Sequence, residues 1–299
     1  MRKPQFLTPV ITVFQKDSNN IDIPGCRRVY DRLVENGVSG LVFMGSTGEF
    51  FSMNMDMQKQ VIDLATEYAA RGVRVLVGVS RMTPQETIEL ANYAYSRGIR
   101  EVMIVSPYYF KLTDRNLEAY YDEVASATLA NIFIYNFPER TVHDMSPELT
   151  LRLVRKHKNI VGYKDTTTNM SHTSALLRTI LPEFPDFQVY NGYEDNFIHT
   201  MLSGGAGCIG GLSNLMPRQC ADLVKAVEDR DFEKMIKLQE YIDDAMAIYA
   251  IADPFIPTAK RGLQLQGLGI SDTCVEPFRT LDDEQEKTLR TIMERLHIL

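Results

Sequence analysis

The strongest constraint on the fold is a rhythm. Eight short, nearly continuous apolar runs punctuate the chain, at residues 6–14, 40–44, 73–79, 101–105, 131–135, 160–163, 187–190 and 206–209. A strand with one wet face alternates apolar and polar residues, whereas a continuous apolar run is buried on both faces and implies a parallel sheet under covering helices. The seven intervals between the runs carry helical patterns. In one, Met57, Val61, Leu64 and Tyr68 recur at steps of four, three and four, an amphipathic stripe. Thr83-Pro84-Gln85-Glu86 and Ser146-Pro147-Glu148 read as helix starts, each a capping hydroxyl, a proline at the first helical position and an early carboxylate. Gly37, Gly72 and Gly98 fall where helices should stop. The fold class is therefore α/β, and eight strand–helix units suit a (β/α)8 TIM barrel of the usual ~250 residues. An open doubly wound sheet is the alternative, but it leaves two edges, and the even repeat favours closure. From Pro217 onward the pattern is helical, at residues 218–228, 231–250, 257–266 and 282–297. The first of these completes the barrel, read as residues 1–228, and the others form a C-terminal helical extension, residues 229–299, packed on it.

In such a barrel the active site lies at the C-terminal ends of the strands. That rule selects residues 45–49, 107–109, 135–140, 164–168, 192–195 and 210–213, all rich in Gly, Tyr or polar groups. Lys164 closes the sixth run. Lysine is rarely buried unless paired or working. An amine in an apolar pocket loses hydration, which disfavours its charged form, and a neutral amine attacks ketones. A lone strand-end lysine is more simply a surface residue opening a loop; here other strand ends supply what an imine mechanism needs. Gly45-Ser46-Thr47-Gly48-Glu49 can present backbone N–H groups and two hydroxyls to a carboxylate, or can be an ordinary glycine turn. Tyr109 and Tyr135 are either core rings with hydroxyls at the rim or proton carriers. Arg140 is either solvated or a bidentate carboxylate clamp.

Other function classes are disfavoured. With a net charge of −7 and pI of about 5.4, the chain is a poor partner for nucleic acid or an anionic membrane. The cysteines, Cys26, Cys208, Cys220 and Cys274, form no C-x-x-C pair, and their sparse use suits a reducing cytoplasm. The opening MRKPQFLTPVITVF reads as a first strand, not a signal peptide. No apolar stretch is long enough for a bilayer. The histidines lack metal-ligand spacing, so no metal site is expected. Gly205-Ala206-Gly207-Cys208-Ile209-Gly210 matches G-x-G-x-x-G, yet it runs through the last strand instead of opening a helix, so a nicotinamide site is discounted.

Four segments together resemble the dihydrodipicolinate synthase/N-acetylneuraminate lyase superfamily of pyruvate-dependent class I aldolases: residues 45–49, Pro107-Tyr108-Tyr109, Tyr135-Asn136-Phe137-Pro138 with Arg140-Thr141, and Gly162-Tyr163-Lys164-Asp165-Thr166. The likeness covers residues 6–214. It implies that Lys164 forms a Schiff base with pyruvate or another 2-oxo acid, with no cofactor beyond that imine. Tyr135 would shuttle protons. Thr47 would link it to Tyr109, which reaches in from a neighbouring subunit, so a dimer is the minimal active unit and a homotetramer is expected. Ser46 and Thr47 would hold the pyruvate carboxylate, the Ile209 carbonyl would lie near the lysine, and Gly210 and Gly211 would leave room for substrate. The branch signals conflict. Gly192-Tyr193-Glu194-Asp195 resembles the sugar-acid branches, in which Gly192, Glu194 and Asp195 would meet sugar hydroxyls. Glu139-Arg140-Thr141 follows the dihydrodipicolinate synthases, in which Arg140 would hold the carboxylate of aspartate semialdehyde. The reading favours a 2-keto-3-deoxy sugar acid aldolase joining or splitting pyruvate and an aldehyde, with the synthase as alternative. A non-catalytic barrel that binds 2-oxo acids is the competing reading from another class.

Overall fold

The structure is a computed structural model describing residues 2–16, 18 and 20–299. Eight parallel strands close a barrel in chain order: β1 (Gln5–Pro9), β2 (Gly40–Phe43), β3 (Val75–Gly78), β4 (Glu101–Val105), β5 (Asn131–Asn136), β6 (Ile160–Asp165), β7 (Gln188–Asn191) and β8 (Gly207–Ile209), with β8 pairing back onto β1. The barrel is the one the apolar rhythm predicts. Around it run helices α1 (Ile23–Glu35), α2 (Met55–Ala70), α3 (Pro84–Ser96), α4 (Asp114–Ala127), the single turn α5 (Pro138–Thr141), α6 (Pro147–Lys156), α7 (Met170–Ile180), α8 (Phe197–Leu202) and α9 (Pro217–Asp229). Three more, α10 (Phe232–Ala245), α11 (Ile256–Leu265) and α12 (Asp283–Arg295), follow the barrel. Among the described residues, no helix is long and apolar enough to cross a membrane.

The caps are those the sequence encodes. The Thr83 and Ser146 hydroxyls accept from the N–H groups of Glu86 and Leu149. Gly37, Gly72 and Gly98 stop their helices at φ of +82°, +81° and +93°, where a side chain would be strained. Two boundaries differ from expectation. The first apolar run extends to Phe14, but β1 ends at Pro9. The Val10 N–H makes a last bond to the Val42 carbonyl of β2, and residues 11–14 then run buried beneath the 45–49 loop, where Thr12 Oγ1 donates to the Gly48 carbonyl at 2.8 Å. The helix expected over residues 231–250 ends at Ala245 and continues as the 3-10 turn Met246–Ala250.

One irregularity decides what faces the barrel axis. Strands β5 and β6 pair Ile132 with Ile160 but Phe133 with Gly162, so Val161 is an extra residue. A Cβ on Gly162 would lie 2.2 Å from the Phe133 ring, so the close approach requires glycine. Beyond the bulge, Tyr135 pairs with Lys164 and Asn136 with Asp165. A shift of one residue exchanges the faces of a strand. Without Val161 as a bulge, Lys164 would align with Asn136 and lie on the opposite face from Tyr135. At the other end of the barrel Arg74 acts as a plug, donating to Glu101 at 3.0 Å, Tyr190 at 2.7 Å and Gln188 at 2.9 Å. That end serves stability, leaving the C-terminal end for chemistry.

Candidate active site

A cavity of about 640 Å³ opens at the C-terminal ends of the strands. Lys164 forms its floor. The residue is 5% exposed, and its Nζ lies 4.2 Å from the centre of the Tyr135 ring. The Tyr135 hydroxyl is 3.3 Å from Ser46 Oγ, long for a hydrogen bond between hydroxyls. Thr47 lines the cavity, but the hydroxyl in reach of Tyr135 belongs to Ser46, a correction to the expected link through Thr47. Ile209, Gly192 and Gly211 line the cavity as well. A Cβ on Gly192 would meet Thr166 Oγ1 at 2.0 Å, so only glycine fits there.

The loop that offers Ser46 and Thr47 is backbone-strained at both ends. Met44 and Glu49 adopt φ of +51° and +59°, a region that costs a residue with a side chain about 1–3 kcal/mol. A buried ion pair holds it. Glu49, fully buried, bonds Lys260 of α11, also fully buried. Lys260 donates on to the Thr273 carbonyl at 2.8 Å, and the Val275 N–H donates to Glu49 Oε2 at 2.8 Å. Burial pushes the Glu49 carboxyl up, against the downward pull of Lys260. The sequence contains a signal for this cation: Ile256, Lys260 and Leu263 share the apolar face of α11 at helical spacing.

Behind Lys164, Asp165 points into the helix layer. It accepts from Asn136 at 3.0 Å, from Thr173 at 2.6 Å and from His172 Nδ1 at 2.9 Å. His172 Nε2 donates to the Met145 carbonyl at 3.1 Å. An imidazole with both nitrogens on acceptors is the charged form. Burial works against that charge, but the Asp165 hydrogen bond and the Asp165 and Asp144 charges outweigh it and raise His172 to about 9. The network clamps the ends of β5 and β6 together under the site.

The mouth is built differently. Arg140, on α5, forms a two-point pair with Asp253, from the segment before α11. Beside it the Tyr193 hydroxyl donates to Glu139 at 3.3 Å. The wall is completed by Tyr249, Phe255 and Phe278, residues beyond the barrel that strand-end reasoning cannot find.

Two expected residues, Glu194 and Asp195, are placed away from the cavity, and Tyr109 points away from its own chain's site. Glu194 is fully buried and does not line the cavity. The 3-10 turn Glu194–Asn196 carries its carboxylate under the loop after β8, where it accepts from Leu212 N–H at 2.6 Å and from the Tyr249 hydroxyl at 3.1 Å. Burial pushes it up to about 7. Asp195 is exposed, outside the cavity, its carbonyl accepting from Gln239 of α10 at 3.2 Å. Neither carboxylate lines the cavity, where the sugar-acid reading expected both. Tyr109 is 78% exposed and lies outside the cavity of its own chain, packed edge-on against Phe110; its neighbour Tyr108 lines the wall. The stretch 205–210 is carried through β8 and is followed by the 3-10 turn Gly211–Asn214, so no helix opens on it as a dinucleotide site requires.

A parallel eight-stranded barrel with a nearly buried lysine beside a tyrosine at the C-terminal strand ends suits a class I pyruvate aldolase, a lyase, and the chain's family and relatives are enzymes of that class. The chain belongs to the Dihydrodipicolinate synthetase family, which it matches over residues 3–296. It is 32% identical over 292 residues to YagE of Escherichia coli K12, provisionally named a 2-dehydro-3-deoxy-D-gluconate aldolase, covering 98% of this chain and 96% of that one. The crystal structure of YagE in complex with pyruvate superposes with a TM-score of 0.95 over 99% of both chains. It is 31% identical over 293 residues to YjhH of the same organism, provisionally a 2-dehydro-3-deoxy-D-pentonate aldolase, with 98% and 97% covered. It is 30% identical over 290 residues to the 4-hydroxy-tetrahydrodipicolinate synthase of Kosmotoga olearia, with 97% of each covered. Membership in this enzyme family supports the enzyme reading over a non-catalytic barrel.

Proposed function

We propose that the protein cleaves a 2-keto-3-deoxy sugar acid into pyruvate and a hydroxyaldehyde, and runs the reverse addition. The observation that carries the reading is Lys164, nearly buried on the cavity floor with its Nζ against the Tyr135 ring. The Lys164 amine attacks the C2 ketone, and loss of water, with the Tyr135 hydroxyl giving up its proton, leaves a protonated imine beside the Tyr135 phenolate. Tyr135 takes the proton of the C4 hydroxyl as the C3–C4 bond breaks. The bonding electrons pass into the imine, leaving an enamine of pyruvate and releasing the aldehyde. Protonation at C3 and hydrolysis return the free lysine. The imine does the polarising, so the mechanism calls for no metal or added cofactor. Ser46 and Thr47 bind the carboxylate next to C2, near the Ile209 carbonyl. The protein works in the cytoplasm as a homotetramer of tight dimers, in which Tyr109 of one copy completes the proton relay of the next.

The sugar-acid branch is supported by the names of YagE and YjhH and by the polar lining above the floor. Thr166 lines the cavity, and Tyr193 and Glu139 lie beyond it. These suit a polyol tail. A second reading, condensation of pyruvate with aspartate semialdehyde, is favoured by Arg140 at the mouth and by the Kosmotoga synthase. Coupled assays for pyruvate release separate the two. Release from 2-keto-3-deoxygluconate or its pentonate homologue is expected. Consumption of pyruvate with aspartate semialdehyde, and no cleavage of either sugar acid, would establish the synthase instead.

A further inference from the structure

The Arg140–Asp253 pair has a consequence for which aldehyde tails the mouth accepts. Arg140 enters from α5, just past β5, and Asp253 from the segment before α11, 113 residues later. Nη1 donates to Oδ2 at 3.3 Å and Nη2 donates to Oδ1, so both Nη atoms of the guanidinium fork are engaged. This is the geometry a substrate carboxylate would use. Both side chains line the cavity that has Lys164 at its floor, and both are half or more exposed, so the pair faces an incoming tail. Glu139 lies alongside, bonded by Tyr193. The charged groups at the mouth are thus two carboxylates and one guanidinium. A tail bearing a carboxylate would have to displace Asp253 and then sit against it. A hydroxylated tail can bond to either partner and leave the pair intact.

We propose that Asp253 is a specificity-determining residue that selects uncharged, hydroxylated aldehydes and disfavours aldehydes carrying a carboxylate. The proposal rests on the lyase reading above and adds the tail chemistry to it. It also assigns a function to the segment after the barrel, which supplies the selecting charge.

The test compares D253N with the wild type in the addition direction, with pyruvate and either D-glyceraldehyde or succinic semialdehyde. The expected result is a shift in the ratio of kcat/KM values towards succinic semialdehyde of about fivefold, the scale of one exposed ion pair. The shift should appear in KM and shrink at high salt. Adding R140A to D253N should abolish it, because the freed guanidinium is what binds the acid. An unchanged ratio, or a gain that survives the loss of Arg140, overturns the proposal. Trapping of pyruvate on Lys164 by borohydride, run on both proteins, tells the two readings apart. An adduct with an unchanged ratio overturns the role of Asp253 alone, and no adduct in the wild type overturns the lyase reading with it.

Discussion

Lys164 and Arg140 face the same cavity from neighbouring parts of the barrel, one 5% exposed and the other with half of its side chain in solvent. Around Lys164 the supports are buried or half-buried: the Val161 bulge that sets its phase, the Asp165–His172 clamp behind it, and the fully buried Glu49–Lys260 pair that braces the Ser46 loop. Around Arg140 the support is an exposed ion pair and a tyrosine–carboxylate contact. Removing one partner of a buried pair costs about 3–5 kcal/mol, whereas an exposed pair is worth at most about 1. A fixed floor can hold one chemistry while the mouth changes its substrate cheaply, which is what a family containing both aldolases and synthases requires.

Four substitutions probe that contrast, in descending order of effect. Y135F removes the proposed proton carrier, and kcat should fall by about 10²–10⁴-fold. A fall of less than threefold would remove Tyr135 from the mechanism. K260M leaves the Glu49 carboxylate buried without its cation. Stability in urea should drop by about 3–5 kcal/mol, and the Ser46 loop should loosen, raising KM for pyruvate. Unchanged stability would mean the floor is not braced from α11.

E194Q tests a buried carboxylate that has no ion-pair partner among the described residues. The folded-state value of Glu194, about 7, lies above its ordinary value of 4.5, so the unfolded chain releases this proton first. The stabilisation is complete below pH 4.5 and is lost as pH rises through 7. It amounts to about 3 kcal/mol. E194Q should lack this loss, so its stability relative to the wild type should be higher at pH 8 than at pH 5. Parallel pH profiles would contradict the burial argument. The smallest effect is expected from Y193F at the mouth. Losing the Glu139 contact should cost about 1 kcal/mol or less in aldehyde binding and leave pyruvate trapping intact. A large loss of trapping would show that floor and mouth are coupled.

What the sequence revealed follows the same division. Continuous apolar runs reported the barrel because burial on both strand faces leaves a compositional trace. Lys164 and Tyr135 were legible because a lysine and a tyrosine at strand ends stand out against those runs. The phase that brings them together was not, since Val161 looks like any apolar strand residue and the bulge exists only in its pairing with β5. Glu194 shows the limit of the strand-end rule, which locates a residue along the barrel axis but not the direction it faces; a 3-10 turn sends this carboxylate beneath β8. Asp253 and Tyr249 were invisible for another reason. They reach the cavity through the packing of the last helices, which no local pattern encodes.

The central claim is that Lys164 is a nucleophile on the cavity floor, and borohydride reduction in the presence of pyruvate, followed by intact mass and peptide mapping, tests it most directly. The account predicts one pyruvyl adduct per chain, on Lys164, absent from a K164A protein that remains folded. Folded wild-type protein that gains no adduct, or gains one on another lysine, would contradict it.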